Sequence, residues 1–146
     1  MGSTTLKIGL SKRDDIPILY TFLISFEKDI KSKAGAYNIE SSTFVKFCKS
    51  NGIKCKDSIA KKEIDKKDKT ENYFFFSTNR NIVSKQDKAH HLLRHIRNSI
   101  AHALVSKKKQ YYLLTDYNSN KNLSMNAKIR VDLFESFIAE LVKTSL

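Results

Sequence analysis

Tyr111-Tyr112-Leu113-Leu114-Thr115-Asp116-Tyr117, then Asn118-Ser119-Asn120-Lys121-Asn122, then Leu123-Ser124-Met125: this stretch decides how the C-terminal third of the chain is read. Aromatic and aliphatic residues flank a run of polar turn-formers, which predicts two short strands joined by a hairpin-type loop. Beyond it, Ile129, Leu133, Phe134, Phe137, Ile138, Leu141 and Val142 recur at helical spacing, so a final helix packs one face on the core. Its start is open, because Leu123, Met125, Ala127, Ile129 and Val131 also alternate as a strand would.

Upstream of the hairpin, Ser84-Lys85-Gln86-Asp87 resembles a capping box with Asp in place of Glu, which opens a long helix. Leu92, Leu93, Ile96, Ile100, Ala103 and Leu104 form its apolar stripe, down to about Val105. Lys107, Lys108 and Lys109 follow, where cations suit the negative end of a helix. Tyr73-Phe74-Phe75-Phe76 is too apolar to be exposed; it reads as an extended segment or loop packed on the bundle, or as an aromatic platform for bases. Residues 54–72 hold seven lysines and five acids, the mark of solvated surface, with room for a short helix at Ile59–Ile64.

Two helices precede these. The first starts at Asp14 or Asp15, takes Pro17 in its first turn and runs to about Lys33. It carries Ile16, Leu19, Tyr20, Leu23, Phe26, Glu27 and Ile30 on one stripe. The second starts after Ser41 or Ser42, buries Phe44, Val45, Phe47 and Cys48, and stops at Asn51-Gly52. One proline and four glycines in the chain favour helices over a turn-rich β fold. The expected fold is all-α, a small antiparallel helical bundle with one short β-hairpin before the C-terminal helix, forming a single domain over 1–146.

The chain has 146 residues, enough for one core without staples. Its formal charge of +12 comes from 27 Lys and Arg, of which five are Arg. Such a balance points to a polyanion partner, although a lysine-rich composition also arises without one. Cys48 and Cys55 are too few for a disulfide scaffold and lack CxxC spacing, so a reducing cytoplasm is expected. No stretch has the apolar length of a membrane span. The run Ile16–Phe26 follows two acids and is no signal-peptide core.

All four histidines fall between positions 90 and 102, in His90-His91-Leu92-Leu93-Arg94-His95-Ile96-Arg97-Asn98-Ser99-Ile100-Ala101-His102. Histidine exchanges protons near neutral pH, and arginine matches the oxygens of a phosphate. Together they suit the cleavage of a phosphodiester; the plainer reading is a helix whose Arg and His face water. At ~100° per residue, Arg94, Asn98 and His102 share one face, flanked by His91 and His95. Arg97 sits ~140° round from His102, so the two meet more readily across a two-fold pair of helices than within one. His91 and His95 have the i, i+4 spacing of metal ligands, yet no Glu, Asp or Cys beside them completes a set. No metal is expected.

The segment Leu93-Arg94-His95-Ile96-Arg97-Asn98-Ser99-Ile100-Ala101-His102-Ala103 resembles the HEPN superfamily, whose mark is Arg, a polar residue, three more residues and His. It looks like small stand-alone prokaryotic and plasmid members. The resemblance implies a helical homodimer that cleaves RNA without metal or cofactor, by attack of the ribose 2′-OH, leaving a 2′,3′-cyclic phosphate and a 5′-OH. By position, His102 would move protons, Arg97 would stabilise charge on the phosphorane, and Asn98 would orient the pair. Arg94, His95, His91, Lys107, Lys108 and Lys109 would bind RNA or support the site. The resemblance also implies a toxin or phage-defence effector with an antitoxin or defence-system partner. One branch carries a Tyr two residues after the His, modified by a nucleotidyltransferase antitoxin; here that position is Leu104, so such a partner is not implied. The alternatives are an inactive RNA-binding or dimerisation module on the same fold, and an adaptor acting through protein contacts alone.

Overall fold

The C-terminal half of the chain is organised around a sheet, not around helices alone. The structure, a computed structural model, describes residues 15–33, 37–57, 72–77 and 85–144. Helix α1 (Asp15–Ser25) continues through a π-helical turn (Phe26–Ile30) and a short 3-10 turn (Lys31–Lys33). Next come α2 (Ser42–Ser50), β1 (Ile53–Asp57), β2 (Asn72–Phe76), α3 (Lys85–Ala101), β3 (Val105–Lys108), β4 (Tyr111–Tyr117), β5 (Leu123–Arg130) and α4 (Val131–Val142). The five strands form one sheet in the order β1-β2-β5-β4-β3. β1 runs parallel to β2, and the other neighbours are antiparallel.

The expectation of an all-α helical bundle is therefore corrected to a mixed α and β fold. The predicted hairpin exists, but it is the middle of a larger sheet. Its second strand continues to Arg130 before α4 begins at Val131, so the alternation of Leu123 to Ile129 is a strand signal. β2 is the apolar run Tyr73–Phe76, buried on both faces, as suits an interior strand. β1 lies in the segment read as solvated surface. Ile53 is buried, while Lys54 and Lys56 point to solvent, a half-buried edge strand with lysines that discourage further pairing. β3 begins where the long helix was expected to continue. The possible helix at Ile59–Ile64 and the Ser84 cap lie outside the described residues.

One face of the sheet carries the core. On β4, Tyr112, Leu114 and Asp116 point inward, and on β5 Met125, Ala127 and Ile129 do the same. Against them pack Leu19, Phe22, Phe26 and Ile30 of the first helix, Leu92, Leu93, Ile96 and Ile100 of α3, and Phe134, Phe137 and Leu141 of α4. Phe137 lies parallel to Phe74 with ring centroids 4.4 Å apart. Burying each such side chain stabilises the fold by about 1.5–3 kcal/mol before entropy is subtracted. The first helix is anchored to the sheet through Asp15, which is fully buried. Its carboxylate accepts from Tyr112 Oη at 2.7 Å and from Lys107 Nζ at 3.2 Å.

Helix α3 stops in a defined way. Leu104 N–H donates to Ser99 O at 2.8 Å and Ala103 N–H to Ile100 O at 3.2 Å. This paired closure needs a left-handed residue, a place usually taken by glycine. Ala103 takes it, with φ of 60°. His102 is the residue just before that reversal. Among the described residues, no helix is long and apolar enough to cross a membrane.

Candidate active site

Five turns of α3 bring the polar residues of the histidine segment against β4 and the first helix. His95 is held at both ring nitrogens: Nδ1 lies 2.8 Å from Asp116 Oδ2, and Nε2 lies 3.0 Å from the carbonyl oxygen of Ser77. A carboxylate and a carbonyl only accept, so both contacts are satisfied when both ring nitrogens carry hydrogen. Both side chains are largely buried, at 11% and 4% exposure. His95 thus holds α3 to β4.

Asp116 is shared. Asn98 Nδ2 donates to Asp116 Oδ2 at 3.4 Å, and Tyr117 N–H donates to Oδ1 at 2.9 Å. Asn98 Oδ1 in turn accepts from Arg97 Nη1 at 3.0 Å. The Arg97 guanidinium reaches Glu27 on the π-helical turn, Nε to Oε2, at 3.6 Å. A continuous chain therefore runs from Glu27 through Arg97, Asn98 and Asp116 to His95 and Ser77. It fixes Asn98 at both ends of its amide and gives the arginine two defined neighbours, Asn98 and Glu27.

His102 is exposed at the C-terminal end of α3, and no contact among the described residues joins it to Arg97. Arg94 is exposed, with Nη2 3.3 Å from His91 Nδ1. His90 Nε2 sits 3.3 Å from the backbone oxygen of Lys31, tying α3 to the first helix. Lys107 belongs to the Asp15 pair, whereas Lys108 and Lys109 are exposed at the β3–β4 turn. Among the described residues, no three His, Cys, Asp or Glu side chains are placed to hold a metal ion. Tyr73 and Phe75 stack on the sheet face away from the core but are 6% and 4% exposed, so they offer no bare platform for bases.

Sequence reasoning missed Asp116 and Glu27 as members of the site. A signal exists for one of them. Asp116 follows Tyr112 and Leu114 at the strand period of two, which places an acid on the core-facing side. Glu27 is exposed, and nothing local marks it as a neighbour of Arg97.

Away from this site, the two free cysteines lie side by side. A hydrogen bond that Cys55 donates to Cys48, reinforced by burial, pushes the Cys55 thiol well above its ordinary range, while the same bond draws Cys48 down.

No curated protein and no solved structure matches the chain. A family model does: the one described as HEPN pEK499 p136 aligns with residues 16–146, from the first turn of α1 to the last residue, and includes every side chain of the Glu27-to-Ser77 chain. The protein belongs to this HEPN family.

Proposed function

We propose that the chain is a metal-independent endoribonuclease working as a homodimer, with the Arg97 and His102 side chains of two α3 helices around one cleft. In the reaction a base removes the proton of a ribose 2′-OH, and O2′ forms a bond to the adjacent phosphorus. The P–O5′ bond then breaks, and the 5′ oxygen leaves with a proton. The products are a 2′,3′-cyclic phosphate and a 5′-OH. His102 moves the protons, for which its exposure near the helix end leaves it accessible. Arg97 stabilises the added charge on the phosphorane, and Asn98 holds its guanidinium in place.

The observation that carries this reading is the Arg97–Asn98 bond at 3.0 Å within a family motif on a strongly basic chain. Positioned acid–base groups and electrostatic clamps each contribute about 10²–10⁴-fold. The competing reading is an inactive RNA-binding module, favoured by the Glu27 carboxylate that already faces Arg97. That pair is long, and its side chains are 34% and 48% exposed. Such pairs are worth roughly 0–1 kcal/mol, so an RNA phosphate can displace it. A role as toxin or defence effector rests on the family alone.

The test is incubation of purified protein with single-stranded RNA in EDTA, with analysis of the new 3′ ends. Cyclic phosphate ends, lost by about 100-fold or more in Arg97→Ala and His102→Ala, support the enzyme. Binding without cleavage supports the module, 5′-phosphate products overturn the mechanism, and a monomer at micromolar concentration overturns the shared cleft.

A further inference from the structure

The β4–β5 ladder is interrupted at one residue. Asp116 stands opposite Met125 and Tyr117 opposite Leu123, so Ser124 is an extra residue with no partner across the hairpin. Such a bulge bends the strand and re-aims a side chain, and bulges gather beside active sites. Ser124 is 4% exposed, and its Oγ has no hydrogen-bond partner among the described residues. Most buried polar groups in native folds are bonded, and an exception marks a place where something else supplies the partner. Ser124 lines a cleft of about 560 Å³ between α3 and the tip of the hairpin. The same cleft is lined by Arg94 and Asn98 from the helix and by Tyr117 and Asn118 from the hairpin.

We propose that this cleft holds the base of one RNA nucleotide beside the linkage that Arg97 and His102 cut. The proposal rests on the ribonuclease reading for its substrate and adds the element that selects where the strand is cut. The volume falls in the range of about 300–1,000 Å³ typical of small-ligand sites. Single-stranded RNA is recognised by stacking on aromatic or guanidinium planes and by hydrogen bonds to base edges. Tyr117, 49% exposed at the mouth, supplies a ring. Ser124 Oγ, able to donate or accept, reads an edge. Arg94, exposed at the rim, takes the phosphate, and the Asp116 carboxylate keeps that phosphate away from the inner end. Because Asn98 both lines the cleft and holds Arg97, a seated base fixes the register between the cleft and the scissile bond.

The experiment titrates the intact protein, in EDTA, with each of the four nucleoside 5′-monophosphates, followed by nuclear magnetic resonance of Tyr117 and its neighbours. At least one is expected to bind, with Ser124→Val and Tyr117→Ala each weakening it about fivefold or more, the loss of one good contact. On RNA, the same two variants are expected to redistribute the cut sites. Tyr117 is half exposed, so its variant keeps the test alive if Ser124→Val fails to fold. Nucleotide binding that depends on Ser124 in a protein that cuts no RNA keeps the cleft and removes the ribonuclease. Absence of binding by all four nucleotides, or unchanged binding and unchanged cut sites in both variants, overturns the cleft even if RNA is cleaved.

Discussion

Replacing Asp116 tests the central joint of the site, because three hydrogen bonds end on one buried carboxylate. Asp116→Ala removes the 2.8 Å bond from His95, the 3.4 Å bond from Asn98 and the 2.9 Å bond from the Tyr117 backbone. The first is charge-assisted and contributes roughly 1.5–3 kcal/mol, and the backbone bond roughly 1 kcal/mol. The Asn98 bond is long and adds little to stability, although it decides where the amide points. The expected loss is about 3 kcal/mol, which for a domain of this size lowers Tm by roughly 6–12 °C. Asp116→Asn should cost much less, about 1 kcal/mol. A singly protonated His95 keeps its Nε2–H bond to Ser77 and accepts at Nδ1 from the new amide. Only the Asn98 donor then faces a donor. Both variants should nevertheless lose cleavage by about tenfold or more, since displacement of a positioning group by an ångström can cost ~100-fold. Urea melts and thermal scans measure the stabilities, and initial cleavage rates measure the rest. A double-mutant cycle with His95→Gln isolates the pair. Asp116→Ala within 1 kcal/mol of wild type, equal losses for the two variants, or additivity with His95→Gln to within about 0.5 kcal/mol would refute the reasoning.

Lys107→Ala should destabilise the fold by about 3 kcal/mol, since it takes the lysine from the fully buried Asp15 carboxylate. Lys108→Ala, at an exposed neighbour, should stay within about 0.5 kcal/mol in the same urea melts. Ala103→Gly should raise stability by roughly 0.5–1 kcal/mol, because it relieves a left-handed alanine at the end of α3; a lower melting temperature would contradict the helix stop described above. At alkaline pH, stability should fall. Cys55 is raised by the Cys48 bond and burial, and Tyr37 by burial and then by Asp29. Groups whose folded-state values are raised stabilise the protein fully below their unfolded values and lose that contribution as pH climbs past them. The decline should begin above the ordinary thiol value of 9.0 and steepen beyond the phenol value of 10.0. Cys55→Ala should delay its onset, as followed by urea melts across pH.

What could be read from the chain, and what could not, follows the range of the interaction involved. The apolar stripes of the helices and the β4–β5 hairpin are local patterns, and most of their residues stand where the spacing puts them; Tyr20 and Val45, read as core-facing, are instead exposed. β1 and β2 pair with each other across residues 58–71, and β2 pairs with β5 some fifty residues on. Local periodicity carries no record of such pairings, and strand preference depends on what lies alongside. The edge strand also disguises itself, since the lysines that keep Lys54 and Lys56 in water make the segment look unstructured. The site divides the same way. Arg97, Asn98 and His102 are legible as a spacing on one helix. Their support is not, because His95 and Asp116 are 21 residues apart and meet only when α3 lies across β4. Yet the sequence holds a usable trace of that meeting. A strand reading of Tyr112, Leu114 and Asp116 places a carboxylate in the core-facing row, and a carboxylate there must find a cation or donors to remain charged. The segment richest in both is the histidine helix. Reading an inward acid as a demand for a partner, and then asking which element can meet it, leads from β4 to α3 without any homologue and pairs the two elements that frame the site.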